Sequence, residues 1–163
     1  MDINELKTIK TAIINEIQGY EFYKMAANQA PTEEAKEALL ILAQEEFNHI
    51  EWLKNLFDSI KNGKDDDFEL SNLPDINLPN IFKWEKNNSN NYSLAVSIYG
   101  IGIEMEKRSI EFYNEASKTT NIQRAKYLYE LLEAWEKAHL SRFEKDYNDL
   151  MDEWWSEQGF APF

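Results

Sequence analysis

The sequence predicts an all-α fold: a four-helix bundle made of two repeated antiparallel helix hairpins joined by one long crossover. Three observations predict it. Glycine (5) and proline (4) are scarce in 163 residues, and long stretches of Leu, Ala, Glu and Lys favour helix. Apolar residues recur in alternating steps of three and four, the spacing of one helix face. The two halves of the chain repeat with an offset of 90, so that Glu16 matches Glu106 and His49 matches His139.

The first helix is expected over about 3–29, with a seam at Leu6, Ile9, Ile13, Glu16, Tyr20, Tyr23 and Ala27. The second is expected over about 32–61, with a seam at Ala35, Leu39, Leu42, Glu46, His49, Leu53, Leu56 and Ile60. Ala30-Pro31-Thr32 suits the turn between them, with Glu33 and Glu34 in the first turn of the new helix. The third helix is expected over about 92–118 (Val96, Tyr99, Ile103, Glu106, Ile110, Tyr113, Ser117). The fourth is expected over about 121–147 (Ala125, Tyr129, Leu132, Glu136, His139, Phe143). Thr119-Thr120-Asn121 offers helix-capping side chains between them. Both connections are too short for anything but antiparallel hairpins.

Between the hairpins lies a segment over about 62–91, rich in Asn, Asp and Pro. At ~3.3 Å per residue it is long enough to run the length of a bundle. It is read as the crossover, and its length also permits exchange of helix pairs between two chains. An aromatic tail, 148–163, holds Trp154, Trp155, Phe160 and Phe163 and is expected to pack on the bundle or on a partner chain. The whole of 1–163 reads as a single domain.

Composition excludes several functions. No cysteine is present, which removes disulfides, zinc–thiolate sites, iron–sulfur clusters and cysteine catalysis. A net charge of -13 repels phosphate backbones, so no nucleic-acid partner is expected. No apolar run approaches the ~20 residues that span a bilayer. The N-terminal MDINELKTIK lacks the apolar core of a secretory signal. A cytoplasmic protein without membrane attachment is the expectation.

Each seam is apolar except at one level, where it turns to Glu or to Glu-x-x-His. The chain has two histidines, His49 and His139, and each follows a glutamate by three residues. Residues three apart share a helix face, so each motif offers two ligands to one point. In an antiparallel hairpin, positions equidistant from the turn lie at one height. Glu16 and Glu46 are equidistant from Pro31, as Glu106 and Glu136 are from Asn121. The set Glu16, Glu46, His49, Glu106, Glu136 and His139 should therefore converge near mid-bundle. Glu21 and Glu111 also repeat, but five steps of ~100° turn them about 140° off the seam, and they are read as peripheral.

Four carboxylates in an apolar bundle repel one another and are costly to desolvate. Two divalent cations would balance their charge. Mixed carboxylate and imidazole ligands suit iron, manganese or zinc, and one Glu on each of two helices with Glu-x-x-His on the other two is the ligand pattern of di-iron and di-manganese bundles.

The stretches GYEFYKMAA, EEFNHIEWL, GIEMEKRSIEFYNEAS and EAWEKAHL, with Glu-x29-Glu-x-x-His occurring twice, resemble the rubrerythrin branch of the ferritin-like superfamily. The resemblance covers both hairpins. It implies a ferritin-like four-helix bundle and a centre of two iron ions, with manganese or zinc as other occupants. It also implies reduction of peroxide or O2 with electrons from an external donor such as a rubredoxin-type protein. The crossover and the aromatic tail separately suggest a homodimer. By the same resemblance Tyr23 and Tyr113 hydrogen-bond ligand carboxylates; the alternative is that both simply fill the core. Two departures stand out. Rubrerythrins usually carry a rubredoxin-like iron–tetracysteine domain, which a chain without cysteine cannot form. They also carry an extra glutamate one turn beyond the third-helix ligand, where this chain has Ser109, with Gly19 as its twin. The six remaining ligands are closer to those of bacterioferritin, which raises ferroxidase chemistry or iron uptake without sustained turnover as the alternative. A structural bundle with a static metal such as zinc is the third reading.

Overall fold

In the computed structural model, residues 3–63 and 89–158 are described. They form α1 (Ile3–Gln29), α2 (Glu33–Lys61), α3 (Ser89–Thr119) and α4 (Gln123–Gln158), with no strand among them. The first two helices match their expected ranges to within a residue. Thr32 caps α2, its hydroxyl accepting from the Ala35 amide at 3.2 Å. At the other end Gly63 takes a left-handed φ of 66° just past the last turn, a conformation that costs a residue without Cβ little.

α4 corrects the sequence reading. It runs on to Gln158 through much of the expected tail. Neither Gly nor Pro interrupts 121–158, and the apolar seam continues past Phe143 in steps of four and three. Phe143 and Leu150 are buried in the core, with Tyr147 and Trp154 half-buried. The remainder of the tail, including Phe160 and Phe163, lies outside the described residues.

α1 pairs with α2, and α3 with α4. Tyr23 of α1 meets Glu106 of α3, whereas Tyr113 meets Glu16; residue numbers rise on one helix as they fall on the other, so α1 and α3 are antiparallel. α2, also antiparallel to α1, is therefore parallel to α3. The end of α2 and the start of α3 consequently lie at opposite ends of the bundle. Most of the segment read as the crossover, residues 64–88, lies outside the described residues.

The core comes in two apolar clusters. One gathers Leu6, Ile9, Leu53, Leu56, Tyr113, Leu128, Tyr129 and Leu132. The other gathers Phe22, Tyr23, Leu39, Leu42, Ile98, Tyr99, Phe143 and Leu150. On every helix the site glutamate falls between the residues given to one cluster and those given to the other. A polar layer at mid-bundle is thus closed above and below by apolar packing. Elsewhere, the buried Glu5 carboxylate accepts hydrogen bonds from Thr120 and Tyr129, tying the start of α1 to the α3–α4 hairpin.

Candidate metal centre

The polar layer is built by one glutamate each from α1 and α3 and by Glu-x-x-His from α2 and α4. All six side chains are buried: Glu16, Glu46, His49, Glu106, Glu136 and His139 are each at most 4% exposed. Glu16 and Glu46 face each other because the α1–α2 turn sits midway between them, and Glu106 and Glu136 do so for the same reason across the second hairpin.

Both imidazoles turn Nδ1 toward the carboxylates. His49 Nδ1 lies 3.0 Å from Glu16 Oε2, 3.4 Å from Glu136 Oε1 and 3.8 Å from Glu46 Oε2. His139 Nδ1 lies 3.4 Å from Glu136 Oε2, 3.5 Å from Glu46 Oε1 and 3.7 Å from Glu106 Oε1. The ligand atoms fall into two groups, each with its atoms within 4.8 Å of one another. One group is Glu16, Glu46, His49 and Glu136; the other is Glu46, Glu106, Glu136 and His139. Glu46 and Glu136 belong to both.

The electrostatics of this layer are those of a crowded, dry carboxylate cluster. Burial, and after it the neighbouring Glu136 and Glu16 charges, push Glu46 well above the usual carboxylate range. Burial and the adjacent Glu136 do the same to Glu106. Burial works to raise Glu136 too, but the imidazoles of His139 and His49 facing it at 3.4 Å outweigh it and hold that carboxyl below its usual range. Burial works to lower both histidines, and their carboxylate partners reverse the sign, so both imidazoles are raised. Protons on Glu46, Glu106 and the two imidazoles thus offset part of the cluster's negative charge when no cation does. Glu46 Oε1, Glu136 Oε1 and His139 Nδ1 are nevertheless buried without a well-formed hydrogen bond. Orphaned acceptors aimed into a shared space, with oxygen and imidazole donors around it, fit a pair of divalent cations.

Tyr23 and Tyr113 complete the layer. The Tyr23 hydroxyl donates to Glu106 and the Tyr113 hydroxyl to Glu16, a matched pair across the repeat. Both phenols also fill the core, so the two roles left open by the sequence coexist in each side chain. Burial, followed by the glutamate charges, raises both hydroxyls well above their ordinary range, which keeps them proton donors.

A family model described as Rubrerythrin matches residues 7–147. The chain belongs to the rubrerythrin family. A solved structure, a hypothetical protein from Pyrococcus furiosus, superposes with a TM-score of 0.70 over 93% of this chain and 92% of that one, at 23% identity. That likeness supports the fold. No curated protein matches the chain.

Against the rubrerythrin pattern, the structure brings together all six residues read as ligands, while Glu21 and Glu111 are exposed, off the seam as their helical phase requires. Ser109 is half-buried and supplies no carboxylate. Its twin Gly19 has a positive role: a Cβ there would stand 3.2 Å from Cδ and Oε2 of Glu46, so the missing side chain makes room for a carboxylate shared by both groups. Sequence reasoning missed Glu45, whose Oε2 lies 2.9 Å from His139 Nε2. Glu45 has no acidic twin, because the matching position is Trp135, so a search for repeated residues passes over it. No helix among the described residues is long and apolar enough to cross a membrane.

Proposed function

We propose that this protein is a diiron oxidoreductase that reduces peroxide or O2 with electrons supplied from outside the chain. The observation that carries the reading is the sharing of Glu46 and Glu136 between two buried four-residue groups. Two cations held by a common pair of carboxylates would sit close enough to act on one small substrate. Iron suits the donor set, and manganese or zinc could occupy it as well.

Glu16, Glu46, His49 and Glu136 would hold one ion and Glu46, Glu106, Glu136 and His139 the other. When bound, a pair of ferrous ions supplies two electrons at once to an oxidant. The chain does the rest. Tyr113 and Tyr23 steady the carboxylates of Glu16 and Glu106, fixing their orientation. The two apolar clusters exclude bulk water and bulky reductants. With no cysteine for an iron–tetracysteine relay, re-reduction would require a separate donor, for which a rubredoxin-type protein is the natural class.

A second reading treats iron as substrate: ferroxidation and uptake without sustained turnover. Ser109 favours it, since no extra carboxylate stands beside Glu106. Optical spectra after anaerobic ferrous loading and oxidant addition separate these readings. Repeated oxidation with an added donor supports the first. One oxidation followed by iron accumulation supports the second. No response to oxidant contradicts both and leaves a static metal such as zinc.

We further propose a homodimer formed through the first hairpin. Ile14, Ile17, Leu40 and Phe47 are exposed there, whereas the repeat-matched positions on the second hairpin hold Glu104, Lys107, Glu130 and Lys137. Two hairpins built on one pattern differ in having apolar residues at these outer positions on the first alone, which supports its use as an interface.

A further inference from the structure

The six proposed ligands obey the internal repeat, and so do the tyrosines that touch them. The environment behind the two imidazoles does not. Behind His139, the Glu45 carboxylate reaches across from α2 and takes the Nε2 position at 2.9 Å. Behind His49, the matching position is Trp135, with ring centroids 5.7 Å apart and edge-on. Trp52 flanks the same imidazole at 5.3 Å. His49 Nε2 and Trp135 Nε1 are both buried, and neither has a hydrogen-bond partner.

This difference acts on the ring nitrogen that faces the cluster. A neutral imidazole carries one proton, and the hydrogen bond made by one nitrogen sets the state of the other. Glu45, an acceptor, favours a proton on Nε2 of His139, so the neutral ring that would bind a cation is the tautomer with Nδ1 free to face it. The indole of Trp135 is a donor and has no acceptor to offer. Nothing behind His49 holds a proton on Nε2, whereas Glu16 Oε2 stands 3.0 Å from its Nδ1. The proton of His49 is therefore drawn to the nitrogen that would have to bind a cation.

We propose that the two halves of the centre are unequal and fill in order. The half bounded by Glu106 and His139 is the high-affinity position, with Glu45 as its positioning residue, and the half bounded by Glu16 and His49 fills second. This rests on the metal-centre reading of the six residues and adds an order to it. A weaker second position is the one from which an ion would exchange or leave, so the asymmetry also gives the centre a direction.

Anaerobic titration of the whole chain with cobalt(II), followed by calorimetry and visible absorption, tests it. Wild-type protein is expected to bind in two resolved steps, the first at least about tenfold tighter. Glu45→Ala should weaken the first step by roughly 10–100-fold, the range for loss of such a partner, and leave the second nearly unchanged. Glu45→Gln, whose amide oxygen can accept the same N–H, should restore most of the first step. Glu45 is partly solvent-exposed (13%), so both variants should fold, with circular dichroism as the check. Two equal steps in the wild type, a Glu45→Ala loss confined to the second step, or equal losses in Ala and Gln would each overturn the inference while leaving a dinuclear site standing. No cobalt binding at all would overturn the metal-centre reading itself.

Discussion

Gly19 on α1 and Glu46 on α2 are packed so closely that a methyl group on Gly19 would stand 3.2 Å from the Glu46 carboxylate. That approach sets where a carboxylate common to both four-residue groups can lie. Gly19→Ala should gain helix propensity of about 1 kcal/mol and displace Glu46 by a few tenths of an ångström. Helix content is expected to hold while divalent metal affinity falls by about tenfold, since displacing a ligand by that order weakens a preorganised site. Unchanged metal affinity in Gly19→Ala would show that Glu46 does not need its observed position.

Tyr23→Phe and Tyr113→Phe should behave as a pair, because their hydroxyls play the same part on opposite sides of the layer. Each change removes one hydrogen bond to a proposed ligand carboxylate. Metal affinity should fall by roughly 10–100-fold in each, with a small stability loss of the metal-free protein of about 1 kcal/mol. Equilibrium dialysis and thermal melts measure the two effects separately. A stability loss without any change in metal affinity would reduce both residues to core packing.

The raised groups of the layer give the metal-free bundle a defined pH dependence. His49 and His139 have folded values raised above the ordinary 6.5, and Glu46 and Glu106 above the ordinary 4.5. A group raised on folding stabilises the native state below its unfolded value, and that stability is lost as pH rises through the folded value. For the histidines the loss therefore begins above pH 6.5. Glu136, held low, has the opposite sign, and its contribution is lost only as pH falls below 4.5 toward its folded value. The melting temperature of metal-free protein should fall as pH rises above 6.5, and metal loading should flatten or reverse that trend. A metal-free protein that grows more stable over this rise would contradict the protonation scheme.

Much of this was legible in the sequence because it depends on spacing. Helical phase put Glu16, Glu46, His49, Glu106, Glu136 and His139 on the seams and turned Glu21 and Glu111 away from them. Hairpin symmetry about Pro31 and Asn121 set their heights. What escaped was set by contacts across helices. Glu45 sits one residue from Glu46, where phase alone reads it as surface, and it meets His139 of α4 at 2.9 Å. The packing of Gly19 on Glu46 likewise joins two helices. The far end of α4 differs for another reason: the helix expected to stop near 147 runs to Gln158, because the apolar steps through Phe143, Tyr147, Leu150 and Trp154 keep helical spacing.

The outer face of the first hairpin predicts association. Phe47→Lys places at that position the residue found at its repeat twin, Lys137. Sedimentation should show a wild-type dimer and a variant shifted toward monomer, with unchanged helix content. A wild-type protein that stays monomeric over a broad concentration range would contradict the proposed interface and leave the metal centre untouched.

The proposed catalysis depends on electrons from elsewhere. Ferrous-loaded protein alone should show a single round of oxidation by peroxide or O2, and sustained consumption should appear only when NADH is supplemented with a rubredoxin-type relay and its reductase. Many turnovers from NADH alone would contradict the need for an external relay.

The central claim is that six buried side chains form one dinuclear site, and metal stoichiometry tests it most directly. Protein loaded anaerobically with ferrous iron, freed of excess metal and assayed by elemental analysis should hold two ions per chain, since four carboxylates balance two divalent charges. Glu46→Ala, which removes a residue common to both groups, should lose metal, and Glu21→Ala should retain both ions. Saturation of the wild type at one ion or none, or loss of metal in Glu21→Ala with retention in Glu46→Ala, would contradict the account.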